Sequence, residues 1–206
     1  MPLRLGFLAS HGGSNVQAIL DACREGRLDA EPRVVISNNS DAPVLERARR
    51  AGVPAFHLSS HTYPDPAHLD QAILDTLEQH EVNVIVLAGY MKKLGPRTLK
   101  RYRGRVLNIH PALLPKFGGQ GMYGRRVHEA VLAAGEKVTG VTVHLADEDY
   151  DRGKILAQRT VPVLAGDTPD SLAARVLEVE HQIYADTLQR IARGEIKLAG
   201  SWRRRL

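Results

Sequence analysis

The chain has 206 residues, 43% of them hydrophobic and 25% charged, a balance that supports a packed core and excludes disordered and fibrous classes. Its net charge of +5 does not describe a nucleic-acid face, because Arg203, Arg204 and Arg205 supply three of those charges and elsewhere Lys and Arg alternate with Asp and Glu. The longest apolar run, Val84 to Met91, falls well short of the ~20 residues needed to cross a bilayer, no cleavable signal pattern precedes the first strand, and lone Cys23 cannot form an internal disulfide, so a cytoplasmic protein with no nucleic-acid or membrane partner is expected.

In chain order, Leu3 to Ala9 reads as a buried strand, followed by a glycine turn and a helix with Val16, Ile19, Leu20 and Cys23 on one face. Arg33 to Ser37 is a second strand, Pro43 to Ala51 a short helix, and Val53 to His57 a short third strand. A helix carrying Leu69, Ala72, Ile73 and Leu77 leads to the wholly apolar strand Val84 to Ala88. Arg105 to His110 is a fifth strand, and a Pro/Gly-rich loop runs from Pro111 to Gly124. A helix with Val127, Ala130, Val131 and Ala134, strands around Val138–Leu145 and Ile155–Val163, and a last helix complete the pattern. That helix has Thr168 as N-cap and Leu172, Val176, Val179 and Ile183 facing inward. The alternation predicts one α/β domain over 1–206: a mostly parallel, twisted, Rossmann-like sheet of about seven strands with helices on both faces.

Three segments carry chemistry. Ser10-His11-Gly12-Gly13-Ser14-Asn15, the first βα turn, suits either an anion held by helix amides or a capped tight turn with no ligand. Asn108 and His110, two apart at the carboxyl end of a strand, project to the same side. An amide donor beside an imidazole suits a developing oxyanion, although the histidine can instead simply bond a neighbouring loop. The acidic run Asp147 to Asp151 is either a solvated turn or the source of a carboxylate facing His110, which would orient the ring and raise its pKa.

Other signals are weaker. Gly119-Gln120-Gly121-Met122-Tyr123-Gly124 matches G-x-G-x-x-G, but Pro111 to Gly118 separates it from the strand, so a mobile loop over a site fits better than a dinucleotide fingerprint. His128-Glu129 begins like H-E-x-x-H, but Leu132 takes the second ligand position, and no metal is expected. His144 has the character of a supporting group, although it could face His110.

Together these segments resemble the folate-dependent formyltransferases. The resemblance rests on Gly13-Ser14-Asn15, Leu87-Ala88-Gly89-Tyr90-Met91, Asn108-Ile109-His110-Pro111-Ala112-Leu113-Leu114-Pro115, Gly140 to His144, Asp151-Arg152-Gly153, Ile155 to Gln158 and Glu180-His181. It implies transfer of the formyl group of 10-formyltetrahydrofolate, a co-substrate, to the amine of 5'-phosphoribosylglycinamide (glycinamide ribonucleotide) in purine synthesis, with no metal, by a monomer or homodimer. It also implies a catalytic trio of Asn108, His110 and Asp151. Gly12, Gly13, Ser14, Asn15 and Glu180 would bind the ribonucleotide. Tyr90, Met91, Lys92, Lys93, Leu94, Asn108 and Asp147 would line the folate site. Residues 1–104 would be the phosphate-binding half and 105–206 the catalytic and folate half, with Gly118–Gly124 a flexible loop beside the site. The chain departs from the family pattern at His11, at Lys92-Lys93 and at Arg152 and Lys154. Family branches with an added tRNA-binding or regulatory domain are expected to need more chain than this, and the Trp202–Arg205 tail is expected to be a solvated terminus dispensable for activity.

Overall fold

Alternate residues of each central strand face different helical layers in the computed structural model, which describes residues 2–148 and 152–199. The strands are β1 (Leu3–Leu8), β2 (Ala30–Ser37), β3 (Ala55–His57), β4 (Val84–Leu87), β5 (Val106–His110), β6 (Val138–Leu145) and β7 (Ile155–Pro162). They form one seven-stranded sheet in the order β3-β2-β1-β4-β5-β6-β7. The first five strands run parallel, whereas β6 is antiparallel to β5 and β7 to β6. The helices are α1 (Ser14–Arg24), α2 (Pro43–Arg50), α3 (Pro66–Gln79), α4 (Pro96–Arg101), α5 (Arg125–Ala133) and α6 (Pro169–Ala192). The expected mostly parallel α/β sheet of seven strands is what forms.

Leu5 and Phe7 of β1, Val84 and Val86 of β4, Leu107 and Ile109 of β5, and Val141 and Val143 of β6 share one core with Val16 and Ile19 of α1, Val44 of α2, Val131 of α5 and Leu172 to Ile191 of α6. Leu8, Ile36, Ile85 and Val106 bury the other face against Ile73, Leu74 and Leu77 of α3, and Tyr102 at the end of α4. Period-two strands between two layers of period-3.6 helices satisfy both patterns at once. Asn108, His110, Thr142 and His144 fall between the residues given to the first core, so they project toward the second face at its β5–β6 end.

Three details differ from the sequence pattern. Helix α4 has no apolar periodicity of its own. Its start is capped from α3, where the Asp70 carboxylate accepts from Arg97 N at 2.8 Å, Thr98 N at 3.1 Å and Thr98 Oγ1 at 2.6 Å. Val53 and Pro54 precede β3, although the Pro54 carbonyl still accepts from Val35 N at 2.9 Å, and Val179 is half-buried at the margin of the α6 core. Helix α6 begins as expected, with Thr168 accepting from Ser171 N in a reciprocal capping box.

The strand order reverses direction between β1 and β4. β2 and β3 lie to one side and β5 onward to the other, which makes the carboxyl ends of β1 and β4 the place where such sheets open a crevice. Among the described residues no helix is long and apolar enough to cross a membrane.

Candidate active site

The turn after β1 is built around a close approach. Gly13 is the N-cap of α1 at φ 69°, and a Cβ there would lie 2.2 Å from Val44 Cγ2, so both the backbone angle and the space demand glycine. From α2, Val44 N donates to His11 O at 3.1 Å and Arg47 Nε to Gly12 O at 2.7 Å. No side chain caps α1, which leaves its first-turn amides and its dipole facing outward, an anion site in waiting. His11 itself is exposed.

Two contacts with α6 complete this end. Asn15 Nδ2 donates to Glu180 Oε1 at 3.3 Å, and His181 Nε2 lies 3.1 Å from Ser14 Oγ. Asn15 is 9% exposed and its Oδ1 has no partner, an unsatisfied acceptor of the kind a bound ligand fills. Burial pushes the Glu180 carboxyl up to about 7, with Asn15 pulling the other way. His181 is held below the ordinary imidazole value by burial first and then by the Arg47 charge, with Glu178 opposing.

Ser10 ties this turn to the segment after β4. Its N donates to Gly89 O at 3.1 Å, its Oγ accepts from Met91 N at 2.8 Å and donates to Asn38 Oδ1 at 2.6 Å, and its carbonyl accepts from Asn39 Nδ2 at 2.6 Å. In that segment Tyr90 is half-buried and Met91, Lys92 and Lys93 are exposed. The Leu94 side chain turns into the second core, so only its backbone can meet a ligand.

At the end of β5, Asn108 stands opposite His144 and His110 opposite Thr142. Asn108 Nδ2 lies 3.4 Å from His144 Nε2, and His144 Nδ1 lies 3.1 Å from Leu145 O. A carbonyl only accepts, so His144 carries its proton on Nδ1 and receives Asn108's amide on Nε2. His144 therefore supports Asn108. His110 is 4% exposed, with Nε2 donating to Phe117 O at 2.7 Å. The loop carrying Phe117 is held in turn: Thr142 Oγ1 donates to Ala112 O at 2.7 Å and accepts from Leu114 N at 3.1 Å, while Gln158 Nε2 donates to Leu114 O at 2.9 Å. Leu114–Pro115 is a cis peptide.

The structure thus joins Ser14 and Asn15 to Glu180 and His181, and it sets Asn108 and His110 side by side. Asp147 is exposed on the loop beyond β6. Asp151 and the Trp202–Arg205 tail lie outside the described residues. Gly119, Gly121 and Gly124 all have positive φ in a turn well separated from β5, which is not the strand–turn–helix of a dinucleotide fingerprint. His128 is buried on α5, held below its ordinary pKa by burial and by nearby His110. Among the described residues no three His, Cys, Asp or Glu side chains converge as a metal site. Sequence reasoning missed Arg47, which joins the site from 35 residues past Gly12.

An uncapped helix start at the switch point of a mostly parallel sheet, with an amide and an imidazole at the carboxyl end of β5, defines an α/β protein with a site suited to a small anionic ligand. The chain belongs to the formyl transferase family, whose pattern it matches over residues 3–188. It is 41% identical over 194 residues to the chloroplastic phosphoribosylglycinamide formyltransferase of Vigna unguiculata, covering 94% of this chain and 62% of that one. It is 38% identical over 196 residues to the phosphoribosylglycinamide formyltransferase of Escherichia coli (strain K12), covering 95% and 90%. Among solved structures it is similar to glycinamide ribonucleotide transformylase 1 from Symbiobacterium toebii, with a TM-score of 0.89, 43% identity and coverage of 97% and 92%. The chain thus spans under two thirds of the Vigna unguiculata relative but about nine tenths of the Escherichia coli one.

Proposed function

We propose that this protein transfers the formyl group of 10-formyltetrahydrofolate to the amine of 5'-phosphoribosylglycinamide, giving the formylated ribonucleotide and tetrahydrofolate in purine biosynthesis. The observation that carries this reading is the pair Asn108 and His110 at the end of β5, each held by a neighbour, His144 for one and Phe117 for the other. Its relatives' names and coverage support it further.

The phosphate sits on the amides of Gly13, Ser14 and Asn15 beside Gly12, and Glu180 takes the ribose hydroxyls. The pterin lies along the Tyr90–Leu94 segment (Tyr90, Met91, Lys92, Lys93 and the Leu94 backbone), near Asn108 and the loop at Asp147. The amine nitrogen adds to the formyl carbon, and the oxyanion that develops there receives hydrogen bonds from Asn108 and an imidazolium at His110. The contact of His110 Nε2 with Phe117 O at 2.7 Å fixes the ring's orientation. Asp151 keeps that ring charged and relays the amine's proton to the leaving N10 as the N10–formyl bond breaks, so no proton is gained or lost overall. No covalent enzyme intermediate forms and no metal takes part. Residues 1–104 hold the phosphate and 105–206 the catalytic and folate groups, in a cytoplasmic monomer or homodimer.

Purified protein mixed with both substrates should release one tetrahydrofolate per formylated ribonucleotide. Formate released without formylated amine, or no turnover at all, would overturn the assignment.

A further inference from the structure

Helix α2 carries three arginines near its end, and they are not alike. Arg49 and Arg50 are exposed and pair with Glu46, at 3.7 and 3.3 Å. Arg47 is half-buried and turns the other way, under the glycine turn. Its Nε donates to Gly12 O at 2.7 Å and its Nη1 reaches Gln17 Oε1 at 3.5 Å, both neutral acceptors. A guanidinium drawn out of water costs stability unless a negative charge answers it. None of the ion pairs among the described residues supplies that charge to Arg47.

Across the same turn stands His181, close enough for the Arg47 charge to bear on its ring, with Nε2 at 3.1 Å from Ser14 Oγ. With Nε2 as the protonated nitrogen, the ring donates to Ser14 Oγ and leaves the hydroxyl hydrogen to donate to a third group such as an anion. Arg47 from α2 and the uncapped amides of α1 share one unfilled need, an anion, and His181 from α6 meets the Ser14 hydroxyl beside them. The buried, unpartnered Asn15 Oδ1 lies one residue further along.

We infer that Arg47 is the cation answering the substrate's phosphate, and that His181 is a positioning residue aiming the Ser14 hydroxyl at the same group. This rests on the proposed formyl transfer for the identity of the phosphate ester, but not for its charge. Selectivity for a phosphorylated over an unphosphorylated amine then resides largely in a residue of α2, outside the glycine turn itself.

The test compares wild type, Arg47→Gln, His181→Leu and His181→Gln on glycinamide ribonucleotide and on the same compound lacking its phosphate. Arg47→Gln should raise KM for the phosphorylated substrate about 10–100-fold, as loss of a charge-assisted contact does, with kcat changed less than about threefold. The two enzymes should differ little on the unphosphorylated compound. His181→Leu should raise the same KM several-fold, and His181→Gln, which keeps a donor there, should restore it. Equal losses on both substrates with a lowered Tm would mean that Arg47 only braces the Gly12 carbonyl, and would overturn the inference, as would an unchanged KM. Calorimetric titration of the full chain with ribose 5-phosphate needs no turnover and separates the two readings. Binding that depends on Arg47 in a protein without formyl transfer sinks the function and keeps this site. Normal transfer with Arg47-independent binding does the reverse.

Discussion

Asn108 and His144 meet directly across the β5–β6 ladder, and the ring nitrogen that receives the carboxamide has its orientation set by the backbone of its own strand. The rotamer of the proposed oxyanion donor is thus decided by a residue that need not touch substrate. His144→Leu should lower kcat about 10-fold with smaller changes in either KM, less than the loss of the donor itself. His144→Gln, which offers an acceptor, should recover part of it. Steady-state kinetics on the three proteins checks this, and a kcat unchanged in His144→Leu would refute it.

Removal of either donor should be more costly. Asn108→Ala and His110→Ala are each expected to lower kcat by about 10²–10³, and the double variant by much less than the product, because the two act on one oxyanion. Single-turnover formyl transfer gives the measurement, with circular dichroism to show that the fold survives.

Glu180 makes the chain pH-sensitive in two opposed ways. Burial raises its folded pKa to about 7 from the ordinary 4.5, so between those values the folded chain holds a proton that the unfolded chain has released. Stability therefore falls as pH rises through that window and stays lower above it. Glu180→Gln keeps an oxygen toward Asn15 and carries no charge, so it should be more stable than wild type near pH 8, by about 1–3 kcal/mol, with the difference gone near pH 4. Thermal unfolding at the two pH values tests it.

Binding should move the other way. If the ribose hydroxyls donate to the Glu180 carboxylate, KM for the ribonucleotide should climb as pH drops below about 7 in wild type and show a flatter profile in Glu180→Gln. A profile identical in both proteins would remove Glu180 from the ribose site.

Gly13→Ala places a methyl group against Val44 and a side chain in the left-handed region. It should destabilise the chain by about 1–3 kcal/mol and raise KM for the ribonucleotide more than KM for the folate. Denaturant unfolding and kinetics together distinguish this from a general loss of fold.

Much of this architecture was legible because it is local. Strand alternation and helix periodicity are properties of neighbouring residues, and so is the projection of Asn108 and His110 to one side. The supports of the site are not local. Glu180 meets Asn15 165 residues away, His181 meets Ser14 from 167, and Arg47 reaches Gly12 from 35. Nothing in the residues around Arg47 distinguishes it from Arg49 and Arg50. Only the crossing of α2 over the glycine turn does, just as only the approach of Asp70 accounts for α4.

Ser10, at the head of the glycine turn, holds the strand end at Gly89–Met91 through its amide and hydroxyl, while its carbonyl is held by Asn39. On the proposed assignment, the reach from phosphate to pterin is measured off a single serine, and the site behaves as a calliper. Acceptors whose amine lies one bond nearer to or farther from the phosphate would bind at one jaw and miss the other.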